Sequence, residues 1–164
     1  MSERVQKALL AIGGATCREY AHELSRGDAV ESLELRGGLD TKISPVQAAE
    51  LAKALAGDDE TGFLVKTLSL SNNHIGDEGA MALATALVSS KTAKLKSLGL
   101  VMCGIGDEGA GALCEWLEAG VSSTSLTMMC IEGNPIGSAI KKRLNDLANK
   151  RGFALFIDRD LPIL

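Results

Sequence analysis

The chain has 164 residues, enough for one domain with a full hydrophobic core and too few for two of usual size. Apolar residues make up 46% of it but aromatics only 3%, so the core must be assembled from Leu, Ile, Val and Ala in thin, regular layers, as in repeat proteins. A net charge of −4, with Lys and Arg scattered among Asp and Glu, excludes the concentrated basic face that nucleic-acid binding requires.

Residues 1–28 read as a helical N-terminal cap. Val5, Leu9 and Ile12 share one helical face, and Thr16 with Glu19 forms a capping box that opens a second helix. There is no basic segment followed by a long apolar one, and no run approaches the roughly 18 apolar residues of a membrane helix. A cytoplasmic protein with no membrane partner is expected.

From 29 to 148 the chain repeats. "LSLSNNHIGDEGAMALATAL" (68–87) aligns without gaps on "LGLVMCGIGDEGAGALCEWL" (98–117), 30 residues later. Upstream, "LEL" at 33–35 leads to Ile43, Leu51 and Leu55, spaced like Ile75, Leu83 and Leu87. Here Gly38 takes the place of Asn73, and the insertion "LDTK" precedes Ile43. Downstream, "MCIEGNPIGSAIKKRL" (129–144) supplies the same frame through Met129, Ile131, Asn134, Ile136 and Leu144. In each unit the apolar period changes from two to helical spacing, which predicts a short strand followed by a helix. Asn73, Cys103 and Asn134 fall where the chain leaves the strand, and an amide there can bond the backbone of neighbouring units in a buried ladder. Residues 149–164 read as a C-terminal cap: a last strand, Phe153–Ile157, and a tail whose Leu161, Ile163 and Leu164 close the open edge.

The pattern L-x-x-L-x-L-x-x-(N/C)-x-L, followed by a helix, resembles the leucine-rich repeats, specifically the ribonuclease-inhibitor-like subtype. The resemblance implies an α/β solenoid, a horseshoe fragment with a parallel concave sheet and convex helices, built from about four repeats between the two caps. It also implies a non-enzymatic protein–protein interaction module or scaffold, because members of that family serve as inhibitors, scaffolds, ligand sensors and cytoskeletal caps. Two other roles stay open: a GTPase-activator-like regulator resembling the Ran GTPase activator, and a tropomodulin-like actin-filament capping domain.

The pentapeptide "GDEGA" occurs at 76–80 and again at 106–110. "GIGDEG" at 104–109 satisfies the dinucleotide pattern G-x-G-x-x-G between a strand and a helix. Its sibling copy, however, reads "HIGDEG", and Asp107 and Glu108 place negative charge where a pyrophosphate would sit. Two carboxylates per loop fall short of the six or more oxygens that calcium takes. A structural account covers the whole doublet: Gly76 and Gly106 permit the turn, Asp77 and Asp107 suit the N-cap, and Glu78 and Glu108 complement the positive helix end. Gly79 and Gly109 keep each helix thin against its neighbour. Cys17, Cys103, Cys114 and Cys130 show neither a CxxC pair nor a histidine at zinc spacing, and His22 and His74 lie in separate units. No catalytic set, metal or cofactor is expected.

In stacked parallel strands, alternate side chains line the concave face. Three columns result: Ser32, Thr67, Ser97 and Met128; Glu34, Ser69, Gly99 and Cys130; Arg36, Ser71, Val101 and Glu132. Most members are small and polar. Val101, Met102, Met128 and Cys130 form an apolar group toward the C-terminal repeats, either a docking patch or a surface that the tail covers. The candidate partner-binding residues are therefore Glu34, Arg36, Val101, Met102, Met128, Cys130 and Glu132, for a protein partner and a monomeric chain. Trp116, the single tryptophan, stands where earlier repeats have Ala54 and Ala86. It is either a partly buried filler between convex helices or a convex anchor for a partner.

Overall fold

The computed structural model describes residues 2–39, 41–56, 65–89, 94–119 and 125–158. Two helices come first, α1 (Ser2–Ile12) and α2 (Ala15–Ser25). Strand and helix then alternate: β1 (Ser32–Glu34), α3 (Pro45–Ala56), β2 (Thr67–Ser69), α4 (Gly76–Ser89), β3 (Ser97–Gly99), α5 (Asp107–Glu118), β4 (Met128–Cys130), α6 (Ser138–Arg151) and β5 (Ala154–Phe156). The strands form one parallel sheet in chain order. Parallel neighbours need a crossover, and in each of the first four units a helix supplies it.

The layers of the core follow from the repeat. Leu33, Leu68, Leu98, Met129 and Leu155 stand in register at the strand centres and point inward. A second buried layer is Leu35, Leu70, Leu100, Ile131 and Ile157, and a third is Ile43, Ile75, Ile105 and Ile136. Leu51, Leu83, Leu113 and Leu144 close the stack from the helices. Each layer is one aliphatic side chain per unit, which is why so few aromatics suffice.

Helix α1 buries Val5 and Leu9, with Ile12 packed against the core. The capping box expected at Thr16 and Glu19 does not form. Gly13 and Gly14, at φ 80° and 83°, turn the chain two residues earlier, so α2 begins at Ala15 and Thr16 lies inside its first turn. A reciprocal capping box instead opens α3: Gln47 N–H donates to Ser44 Oγ at 3.3 Å, and Ser44 N–H to Gln47 Oε1 at 3.1 Å. Tyr20 Oη accepts from Glu34 N–H at 3.3 Å, which joins α2 to β1. At the other end the strand is one residue shorter at each side than expected, with Phe153 and Ile157 buried as its flanks. Leu161, Ile163 and Leu164 lie outside the described residues.

Candidate partner-binding face

Strands β2, β3 and β4 each end on a rung of a polar ladder. The buried Asn73 amide donates to Leu35 O at 2.7 Å and Leu70 O at 2.8 Å, and its Oδ1 accepts from Ile43 N–H at 2.9 Å. Asn134 repeats the pattern one frame on, donating to Leu100 O and Ile131 O and accepting from Cys103 N–H at 2.9 Å and Ile105 N–H at 3.0 Å. Between them Cys103 Sγ reaches Leu70 O at 3.2 Å. The ladder expected from Asn73, Cys103 and Asn134 is thus formed, and each amide ties two consecutive repeats. In the first unit Gly38 has no side chain to offer, and its N–H bonds Thr41 O across the insertion instead.

The "GDEGA" carboxylates do something other than cap their own helices. Asp77 Oδ1 accepts from Gly106 N–H at 2.7 Å and Gly109 N–H at 2.8 Å, both at the start of α5. Asp107 Oδ1 accepts from Gly137 N–H at 2.6 Å, at the start of α6. Each aspartate sits inside its own helix and caps the helix of the next repeat. The glycines make room for this: a Cβ on Gly109 would lie 2.7 Å from Asp77 Oδ1, and one on Gly137 would lie 2.9 Å from Asp107 Oδ2. Both carboxylates are therefore occupied as backbone acceptors.

The concave columns stand as the repeat offset requires. Ser32, Thr67, Ser97, Met128 and Ala154 are in register, and so are Glu34, Ser69, Gly99, Cys130 and Phe156. Beyond the strands the ladder continues from Gly37 N–H to Ser71 O, Asn72 N–H to Val101 O and Met102 N–H to Glu132 O, aligning Arg36, Ser71, Val101 and Glu132. Toward β4 and β5 this face turns apolar: Met128 is 37% exposed and Phe156 47%. Sequence reasoning placed Phe156 on a strand but did not count it in the face, although its register with Cys130 follows from the same alternation. Cys130 is half-buried, and burial, with the Glu132 carboxylate beside it, pushes its thiol above the ordinary range against the pull of Arg36. Met102 stands at the edge of the face, 63% exposed and at φ 52°. Near it a pocket of about 460 Å³ is lined by Val101, Met102, Glu132, Lys141, Ile157 and Asp158, among others.

Trp116 is 1% exposed, so it is not offered to a partner on the convex side. It belongs to the buried core, more completely than the partial burial expected, on α5, the helix that packs against α4 and α6. Its Nε1 has no hydrogen-bond partner among the described residues. A convex groove of about 500 Å³ does exist, between α1 and α3, floored by Ala8, Ala11 and Ala54.

Residues 64–84 and 93–114 match the family model described as Leucine Rich repeat. No curated protein matches the chain. Among solved structures, the chain is similar to one described as "Leiomodin-1 Actin-Binding Site 2 (ABS2)", with 18% identity and a TM-score of 0.63 over 98% of this chain and 78% of that one. At that identity the likeness is one of fold. The fold is a leucine-rich-repeat solenoid.

Proposed function

We propose that the chain is a non-enzymatic protein-interaction module that receives a protein partner on its concave face, acting in the cytoplasm as a monomeric scaffold of the ribonuclease-inhibitor-like subtype. One domain spans 1–164 in this reading, with 1–28 and 149–164 as its caps. The observation that supports it is the gradient along the concave columns. Glu34, Arg36 and Ser69 give way to half-buried Val101 and Cys130 and exposed Met102, Met128 and Phe156, so large apolar side chains meet water at one end of an ordered sheet. Parallel strands hold Met128, Cys130 and Phe156 in register, and an apolar cluster beside polar neighbours is what a protein interface presents at its centre.

The reading is tested by comparing the intact protein with a Val101→Asp, Met128→Asp double variant in crosslinking capture, both checked for an unchanged circular dichroism spectrum. Loss of a specific partner from the folded variant supports the concave face; identical recovery by both forms overturns it. A narrower reading, in which the partner is actin, draws on the solved neighbour whose title names an actin-binding site. Co-sedimentation with actin filaments and retardation of filament elongation are its expected results, and indifference in both assays removes it.

A further inference from the structure

We infer that β5, the last strand of the sheet, takes up an extended apolar segment of a partner protein as a sixth strand. The inference goes beyond the concave-face reading, because it concerns the backbone rim of the sheet and not the side chains of its face. Two residues of β5 turn their backbone groups to β4: Ala154 N–H donates to Thr127 O at 2.9 Å, and Phe156 O accepts from Ile131 N–H at 2.7 Å. Backbone groups alternate sides along a strand, so Leu155 N–H and C=O point the other way, off the edge of the sheet. Ile157 N–H follows them, as Ile131 N–H follows Met129 one strand earlier. None of these three groups has a partner among the described residues. They are the same set by which β4 holds β5, offered once more with no described strand to receive it.

The two edges of the sheet are treated differently. At the first, Glu34 N–H points away from β2 and finds Tyr20 Oη on α2. At the last, no described side chain serves Leu155 or Ile157. The sequence there also lacks the usual protection: 153–157 reads Phe-Ala-Leu-Phe-Ile, with neither a charge nor a proline to discourage pairing. A second copy of the chain is a poor occupant. Two-fold pairing of β5 would join three-residue strands through Leu155, well short of the roughly 800 Å² per partner that a stable interface buries. A single extended segment needs only the main-chain bonds and a place for alternate side chains. One side of it would stand beside Leu155, half-buried and packed against the core, and the other beside Phe156, 47% exposed on the concave side. Both neighbours are apolar, so the segment carries consecutive apolar residues, of the β-branched or aromatic kinds that suit an extended chain.

The test is selection of displayed random dodecapeptides against the intact protein, followed by affinity measurement and amide hydrogen exchange with the enriched peptides. The expected result is enrichment of sequences with consecutive β-branched or aromatic residues. Their affinity falls about tenfold in Leu155→Pro and less in Leu155→Ala. Proline removes the outward N–H and spares the bonds to β4, as edge positions tolerate, whereas alanine keeps the donor. N-methylation of the peptide backbone is expected to weaken binding at alternate residues only, a readout that stands even if the proline variant does not fold. In the free protein the Leu155 and Ile157 amides exchange fast, and the peptide slows them. No enrichment, equal affinity for Leu155→Pro, or a uniform effect of N-methylation overturns the inference. So does slow exchange of both amides without peptide: at every protein concentration it means that the chain covers its own edge, and rising with concentration it means that a second copy does. Peptides lost on Val101→Asp with Met128→Asp but indifferent to Leu155→Pro overturn the edge and leave the concave-face reading standing.

Discussion

The carboxylate of Asp77 caps a helix one repeat away: its Oδ1 takes the N–H of Gly109 at 2.8 Å, although Asp77 itself lies in the first turn of α4. Neighbouring repeats are thereby joined by charge-assisted bonds to a helix N-terminus, where both the acceptor and the negative charge are favourable. Asp77→Ala is expected to cost about 1–2 kcal/mol, the range for losing an N-cap acceptor, while Asp77→Asn keeps an acceptor and loses less. Urea unfolding of the three proteins measures this, and equal midpoints refute the inter-repeat cap.

Within α5 the same contact reverses the usual effect of replacing glycine. Helix propensity alone favours Ala over Gly by about 1 kcal/mol. At Gly111, where nothing lies within 4 Å of an added Cβ, Gly111→Ala is expected to stabilise by up to that amount. At Gly109 the Cβ would lie 2.7 Å from Asp77 Oδ1 and 2.9 Å from Asp77 Cα, so Gly109→Ala is expected to destabilise despite its better propensity. Opposite signs two residues apart in one helix are the decisive readout of thermal unfolding; the same sign at both positions refutes the close packing.

The two ladder asparagines differ in burial, which orders their importance. Asn73→Ala takes the amide from Leu35 O and Ile43 N–H in a buried site and leaves Leu70 O with the Cys103 thiol, at about 1–3 kcal/mol for each group left unsatisfied. Asn134 is half-buried, so water can replace part of what its amide provides. Asn134→Ala is therefore expected to lose less stability than Asn73→Ala, and the reverse order in denaturant titrations contradicts the ladder's role.

Most of the fold is legible because the repeat offset converts sequence directly into register. Once 68 aligns with 98, Ser69 beside Gly99 and Thr67 beside Ser97 follow, and the concave columns come with them. The Asn73 ladder is legible for the same reason, since a buried amide recurs at one frame position. What stays hidden are contacts whose partner is set by the third dimension. Asp77 looks like an N-cap for its own helix, because caps are read within a few residues, whereas the solenoid brings Gly106 and Gly109 of the next unit within reach. Gly106, Gly109 and Gly137 were the available signal: small residues recur where the incoming carboxylate needs space. Thr16 and Ser44 show the limit of a short motif. Both precede a Glu or Gln by three residues, yet only Ser44 starts a helix, because Gly13 and Gly14 had already turned the chain into α2. Phe156 was missed as a surface residue because an isolated strand does not say which of its faces a cap will cover.

Trp116 carries a buried Nε1–H with no acceptor among the described residues, so its ring contributes volume while its polar atom is a liability. Trp116→Phe removes the orphan donor and keeps an aromatic filler, so its loss of stability is expected to be clearly smaller than that of full truncation, which leaves the larger cavity. Trp116→Ala empties the buried space that the indole fills and is expected to cost about 3–5 kcal/mol. If Phe proves as damaging as Ala, the indole N–H has a partner and the packing role is insufficient.

Burial pushes the thiols of Cys103 and Cys114 up to about 11 from the ordinary 9.0. Between those values the unfolded chain has released protons that the folded chain still holds, so unfolding is favoured progressively as pH rises through the window. Below about 9 both states are protonated and the thiols add no pH dependence. Each such thiol then steepens the loss of stability by up to roughly 1.4 kcal/mol per pH unit. Cys114 lies in α5, where alanine is a good helix former, so Cys114→Ala isolates one of these contributions. Its stability is expected to be lower than the parent's at neutral pH because of the missing sulfur, but to fall less steeply above pH 9. Parallel slopes for the two proteins in alkaline denaturant titrations would show that the Cys114 thiol ionises alike in the folded and unfolded chains.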